Sequence, residues 1–174
     1  MNRKLLVLDN DPPRHRIFRE AVGEFQILNS YYVHTFEQSL RVDEPTVISL
    51  DHDLEGGVNA GRECEECGCD AAEIIARSGP PDVPVLIHSG NDHCAHVMRR
   101  ILVASGRRGR VSRVNIDSMM KQGERSGIEM MREAILELLA SPHWPADVST
   151  EELLDMLGCD RRLVCPVKSA PRKG

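Results

Sequence analysis

Asp51-His52-Asp53 follows the mostly apolar run Val47 to Leu50 directly, so two carboxylates and an imidazole stand where a buried strand should end. Two other apolar runs end the same way, Leu5 to Leu8 in Asp9-Asn10-Asp11, and Val85 to Ile87 in His88-Ser89-Gly90-Asn91. Gathered carboxylates repel one another and lose hydration, so such a cluster persists around a cation or a shared proton. Mg²⁺ or Mn²⁺ suits the oxygen donors of Asp9, Asp11 and Asp51, and keeps waters that a phosphate can displace. His52 and His88, with Asp53, are the candidate acid and base groups, because imidazoles titrate near neutrality. Ser89 and Asn91 are candidate hydrogen-bond donors to phosphate oxygens, together with the backbone amides that open the next helix. Asp11 also precedes Pro12 and Pro13, the pattern of a helix cap. His15, His34 and His143 read as packed or solvated.

A second constellation is Cys64-x-x-Cys67-x-Cys69 in "RECEECGCD". Thiolates at this spacing form half of a zinc site, with Cys94, His93 or a cysteine of the tail as the remaining ligand. The alternative is an inserted loop carrying reduced thiols.

The elements that must position these groups follow from hydropathy. "KLLVL", "TVISLD" and "VPVLIHS" are short apolar runs of the kind buried on both faces of a parallel sheet, and "GRVSRVNI" is a further strand. "QILNSYYVHT" supplies another strand, and "EQSLRVDEP" a short helix or loop. Helical spacing joins Ile17, Phe18, Ala21 and Val22 up to Gly23, then Ala95, Met98, Ile101 and Leu102 up to Gly106. A long amphipathic helix runs through Ile128, Met131, Ile135, Leu138 and Leu139. The alternation of strand and helix predicts a doubly wound α/β fold with a parallel five-stranded sheet. Ligands of such sheets bind at the carboxyl ends of the strands, where all three polar clusters lie.

The 174 residues fit one domain, read as 1–142 with a Cys-rich insertion near 55–70. Residues 143–174 form a C-terminal extension, with a Ser149-x-x-Glu152 capping box, a short helix ending at Gly158 and a loose tail. A net charge of -5 with mixed signs gives no basic stripe, which argues against binding duplex nucleic acid. Only Leu5 to Leu8 are apolar near the start, too short for a signal peptide or membrane span, which predicts a cytoplasmic protein.

"LLVLDNDPPR", "VISLDHDL" and "PVLIHSGN" together resemble the receiver domain of two-component response regulators over residues 3 to 140. The resemblance implies strand order 2-1-3-4-5, with Asp9 in the acidic pocket that holds a divalent cation, Asp51 as phosphoacceptor and Ser89 at the hydroxyl position. It also leaves room for pairing as a homodimer. Asn10 replaces the expected second acid, and Asn115 stands near where a lysine should end the fifth strand. Asp-His-Asp-Leu with His-Ser-x-Asn is similar to a divergent branch, the cyclic-phosphate processing receiver-like domains. That likeness implies a metal-dependent phosphoesterase acting on a cyclic phosphate of a nucleotide or RNA end. The alternatives are a receiver-like signalling or docking module without turnover, and a protein that sequesters a small, nucleotide-derived phosphorylated ligand.

Overall fold

The computed structural model describes residues 3–54, 67–105 and 111–140. Five strands, β1 (Lys4–Leu8), β2 (Gln26–Ser30), β3 (Val47–Leu50), β4 (Val85–Ile87) and β5 (Val111–Arg113), form one parallel sheet of order β2-β1-β3-β4-β5. This is the doubly wound order expected. The helices are α1 (Pro12–Ala21), α2 (Val33–Val42), α3 (Gly68–Ser78), α4 (Asp92–Ala104), α5 (Ile116–Lys121) and α6 (Glu124–Ala140).

The central strands are apolar at consecutive positions because both faces of the sheet are covered. Side chains alternate between the two faces. Leu6, Leu8, Ile48, Leu50, Val85 and Ile87 pack with residues of α2, α3 and α4. Leu5, Val7, Val47 and Leu86 pack with α1, α5 and α6 through Phe18, Ile116, Met131 and Ile135. Each such fully buried aliphatic side chain contributes about 1.5–3 kcal/mol.

Local signals set the helix ends. Pro12 and Pro13 open α1, where no backbone donor is needed. Asn91 caps α4 by accepting from the Cys94 amide, and Asn115 caps α5 by accepting from the Ser118 amide. The left-handed Gly123, φ 98°, separates α5 from α6.

Three expectations change. α2 begins at Val33, so "YYVHT" does not continue the strand; β-favouring residues there yield to a helix that buries Val33, Phe36 and Leu40. The cysteine stretch is not wholly an inserted loop, because Cys67 caps α3 and Cys69 lies in its first turn. A separate short helix, α5, precedes the long C-terminal one. Cys64, Gly106 and the extension 143–174, with its capping box and helix to Gly158, lie outside the described residues. No helix among the described residues is long and apolar enough to cross a membrane.

Candidate functional site

The ladder bonds run past the ends of the strands. The Asp9 amide donates to Ser30 O, the Asp51 amide to Leu8 O, and the His88 amide to Leu50 O. Strand alternation therefore persists into the polar residues. Asp9 continues the side of Val7, Asp51 that of Ser49, and His88 that of Leu86, so these groups share the face covered by α1. His52 continues the side of Leu50 and faces α3 and α4. The residues that the sequence suggests for one site divide into two, on opposite faces of the sheet.

On the α1 face, Asp9, Asp51, His88 and Ser49 are all at most 1% exposed. His88 Nε2 donates to Asp9 Oδ2 at 2.9 Å, and Nδ1 shares a hydrogen bond with Ser49 Oγ at 2.8 Å. Its ring meets Phe18 edge-on, with centroids 4.9 Å apart. Both ring nitrogens are thus engaged in a buried carboxylate, imidazole and hydroxyl chain. Asp9 Oδ1 accepts from the Asp11 amide at 2.8 Å, and the His15 ring donates to Asp9 O at 2.7 Å.

The second feature of this face is Arg14, one turn into α1. Its Nη1 donates to Asp51 Oδ2 at 2.9 Å and lies 3.8 Å from Asp9 Oδ2. Its Nε lies 3.4 Å from Asp11, and Nη2 is 3.3 Å from Asp117 of α5. Four carboxylates therefore surround one guanidinium. Burial works against the charge of Arg14, but Asp9, Asp51, Asp117 and Asp11 together raise its pKa above the ordinary value. For Asp9, burial also favours the neutral acid, yet the hydrogen bond and charge of His88, the Asp11 amide and Arg14 hold its pKa below the usual carboxylate value. Asp51 ends in the opposite direction. Burial, reinforced by Asp9, raises its pKa despite His88, Arg14 and the amide of His52.

Asp9, Asp11 and Asp51 are the oxygen donors that would hold a divalent cation in this acidic pocket. Asp51 Oδ1 already accepts from the His52 amide at 2.8 Å, and Oδ2 from the guanidinium. A divalent ion on Oδ2 would stand against Arg14, so the pocket as arranged does not fit the ion until that side chain withdraws. Asn10, in place of the second acid, donates instead to Leu54 O. Asp11 sits at the cap position of α1, but its carboxylate makes no cap bond and pairs with Arg14.

At the end of β4, Ser89 is fully buried and its Oγ accepts from the Asn91 amide at 3.1 Å. The side-chain oxygen of Asn91 takes the Cys94 amide at the same distance. Both polar groups order the start of α4. Asn115, where a receiver lysine was expected, caps α5 and reaches Asp92 at 3.2 Å.

On the other face, His52 Nδ1 donates to the half-exposed Asp53 Oδ1 at 2.7 Å. The rest of the ring is buried beside Cys67 and Cys69, and candidate ligand atoms of the three residues lie within 4.8 Å of one another. Burial alone would lower the His52 pKa, but hydrogen bonds with Cys67, Cys94 and Asp53 push it up to about 11. Cys67 moves the other way, to about 3, chiefly through its hydrogen bond with Cys69, with burial opposing and His52 assisting. Gly68 permits this closeness: its amide donates to His52 O at 3.0 Å, and an added Cβ would stand 2.1 Å from Asp51 O.

Arg14, Ser49 and Asp117 are site residues that the sequence reading missed. Arg14 carried one available signal, its i, i+3 spacing from Asp11 at the start of a helix.

No protein-family model and no curated protein matches the sequence. Among solved structures, the chain is similar to the response regulator domain of Thermotoga maritima CheB, with 13% identity, a TM-score of 0.55, and coverage of 82% of this chain and 100% of that one. It is also similar to the Mn²⁺-bound form of the response regulator Rcp1, at 10% identity and TM-score 0.55, covering 82% and 99%. A third is the RcsB response regulator of Salmonella typhimurium, at 14% identity and TM-score 0.54, covering 93% and 72%. At these identities the likeness establishes the fold alone, that of a response-regulator receiver. It does not single out the cyclic-phosphate branch.

Proposed function

We propose that this receiver-like chain is a signalling or docking module that recognises a phosphoryl group in the crevice on the α1 face, without turning it over. The observation that carries this reading is Arg14 bridging Asp51 and Asp9. A guanidinium held between two carboxylates is a resident cation. It can exchange those partners for the oxygens of a phosphorylated ligand, which match its planar donors. The absence of turnover rests on His88 and His52. The first is fully buried with both ring nitrogens engaged, and the second is turned to the opposite face among thiols. Neither presents a free nitrogen to a ligand beside Asp51 in this arrangement, in which a general base would need one within hydrogen-bond reach. The expected ligand is small, phosphorylated and nucleotide-derived. Binding to a panel of cyclic nucleotides tests this reading. A ligand bound and recovered intact supports it; no binding to any member of the panel refutes it.

The second reading is a phosphoesterase that opens a cyclic phosphate. It is favoured by the Asp9 and His88 pair, since a buried carboxylate bonded to an imidazole is the arrangement that orients a catalytic histidine. For that role His88 must release one partner and gain access to a ligand held by Arg14. Hydrolysis by the wild type that is lost in His88→Ala would favour this reading over the first.

A further inference from the structure

The face opposite the crevice carries a group of side chains that the phosphoryl site does not use. We propose that His52, Cys67, Cys69 and Cys94 form a zinc-type metal centre that ties together the end of β3 and the first turns of α3 and α4. His52, Cys67 and Cys69 are each less than 8% exposed, and their candidate ligand atoms already lie within 4.8 Å of one another. A tetrahedral zinc with bonds of about 2.3 Å to sulfur holds its sulfurs about 3.8 Å apart, so closing on the ion asks these three residues for a contraction of at most about 1 Å.

The surroundings suit an ion of this class. His52 Nδ1 is bonded to Asp53, which leaves Nε2 for the metal and fixes the ring as ligating imidazoles are fixed, through a carboxylate on the other nitrogen. Cys67 is the cap residue of α3 and Cys69 the second residue of that helix, while Cys94 lies in the first turn of α4. Both helices present their positive ends, which favour thiolates. Cys94 adjoins the same imidazole and is half-buried, so it supplies the fourth ligand by a turn of its side chain. One imidazole and three sulfurs select a borderline metal such as zinc over Mg²⁺ or Mn²⁺. Binding releases the Nε2 proton of the imidazolium and the thiol protons that remain, and leaves the metal oxidation state unchanged.

His52 is the member that the cysteine spacing did not suggest, while Cys94 was among the candidates for the remaining ligand; Cys64 lies outside the described residues. Gly68 belongs to the same design, because a side chain there would strike Asp51 O, Met98 Sδ and His52 Cα and hold α3 away from the strand end.

The test uses the full chain, reduced and stripped of metal, titrated with Co²⁺ and then Zn²⁺. Cobalt should bind at one equivalent with the absorption of a tetrahedral thiolate site and be displaced by zinc. Cys94→Ser should lose about a third of the charge-transfer intensity, as one of three thiolates goes. Cys67→Ser with Cys69→Ser should abolish the spectrum. Alkylation of the wild type, read by mass spectrometry, gives an answer that does not depend on a variant folding. Zinc should protect Cys67, Cys69 and Cys94, and leave Cys64, Cys159 and Cys165 as reactive as in the stripped protein. Absence of a tetrahedral thiolate spectrum in the wild type, stoichiometric binding by the double variant, or protection that falls on the other cysteines would overturn the assignment.

Discussion

Arg14 Nη1 lies 2.9 Å from Asp51 Oδ2, so the buried carboxylate that follows β3 is met by a cation from the chain itself. The same nitrogen lies 3.8 Å from Asp9. A guanidinium and a divalent ion compete for this place. Arg14→Gln should therefore raise the affinity for Mn²⁺ or Mg²⁺ by at least about tenfold, the order of effect expected from removing a like charge a few ångströms away. Calorimetry on the wild type and variant measures this directly, and an unchanged affinity would show that Arg14 does not guard the pocket.

Ser49 and Asp9 hold His88 from both sides in a fully buried place. Ser49→Ala leaves one ring nitrogen without a partner, at a cost of about 1–3 kcal/mol. Chemical denaturation should show the loss as a lower midpoint with an unchanged slope.

Asp9 and Asp51 respond to pH in opposite directions. The pKa of Asp9 is lowered in the fold, so its contribution to stability is complete above the unfolded carboxylate value of about 3.9 and is lost as pH falls through the folded value. The pKa of Asp51 is raised, so between its unfolded and folded values the native state holds the extra proton. Stability falls as pH rises through that window, and ionised Asp51 remains a cost above it. At neutral pH Asp51→Asn should raise the melting temperature and Asp9→Asn should lower it. The gain from Asp51→Asn should shrink on acidification through the same window. Thermal melts across a pH series check both signs.

Gly68→Ala should cost about 2 kcal/mol or more, because the new methyl group would stand 2.1 Å from Asp51 O and 2.8 Å from His52 Cα, both backbone atoms. Backbone cannot swing aside as a flexible side chain does. The melting temperature of the variant measures the cost, and it should fall on both sides of the sheet, disturbing Asp51 and His52 together.

The sheet was legible because "LLVL", "VISL" and "VLI" are apolar at every position but Ser49, a pattern left by burial on both faces. Placing Asp9, Asp51 and His88 at one edge followed from that reading. The division between His88 and His52 was legible in principle, since His52 is one residue out of phase with Asp51 and must point to the other side of the sheet. The start of α2 was hidden by "YYV", whose residues favour strands, and that of α3 by Cys67-Gly68-Cys69, which carries no helical period. Arg14 reads in sequence as one solvated charge on an amphipathic helix. Only the three-dimensional meeting of α1 with the ends of β1 and β3 distinguishes it.

Recognition of a phosphoryl group through Arg14 without turnover separates a binding module from a phosphoesterase. The direct measurement is binding and hydrolysis of 2',3'-cyclic and 3',5'-cyclic nucleotides by the wild type, Arg14→Gln and His88→Ala, with Mn²⁺ and with chelator. A nucleotide should be bound and recovered intact, with affinity falling by about 10- to 100-fold in Arg14→Gln as a charge-assisted contact is lost. Metal-dependent ring opening by the wild type, lost in His88→Ala, would contradict it and make the crevice the active site of a phosphoesterase.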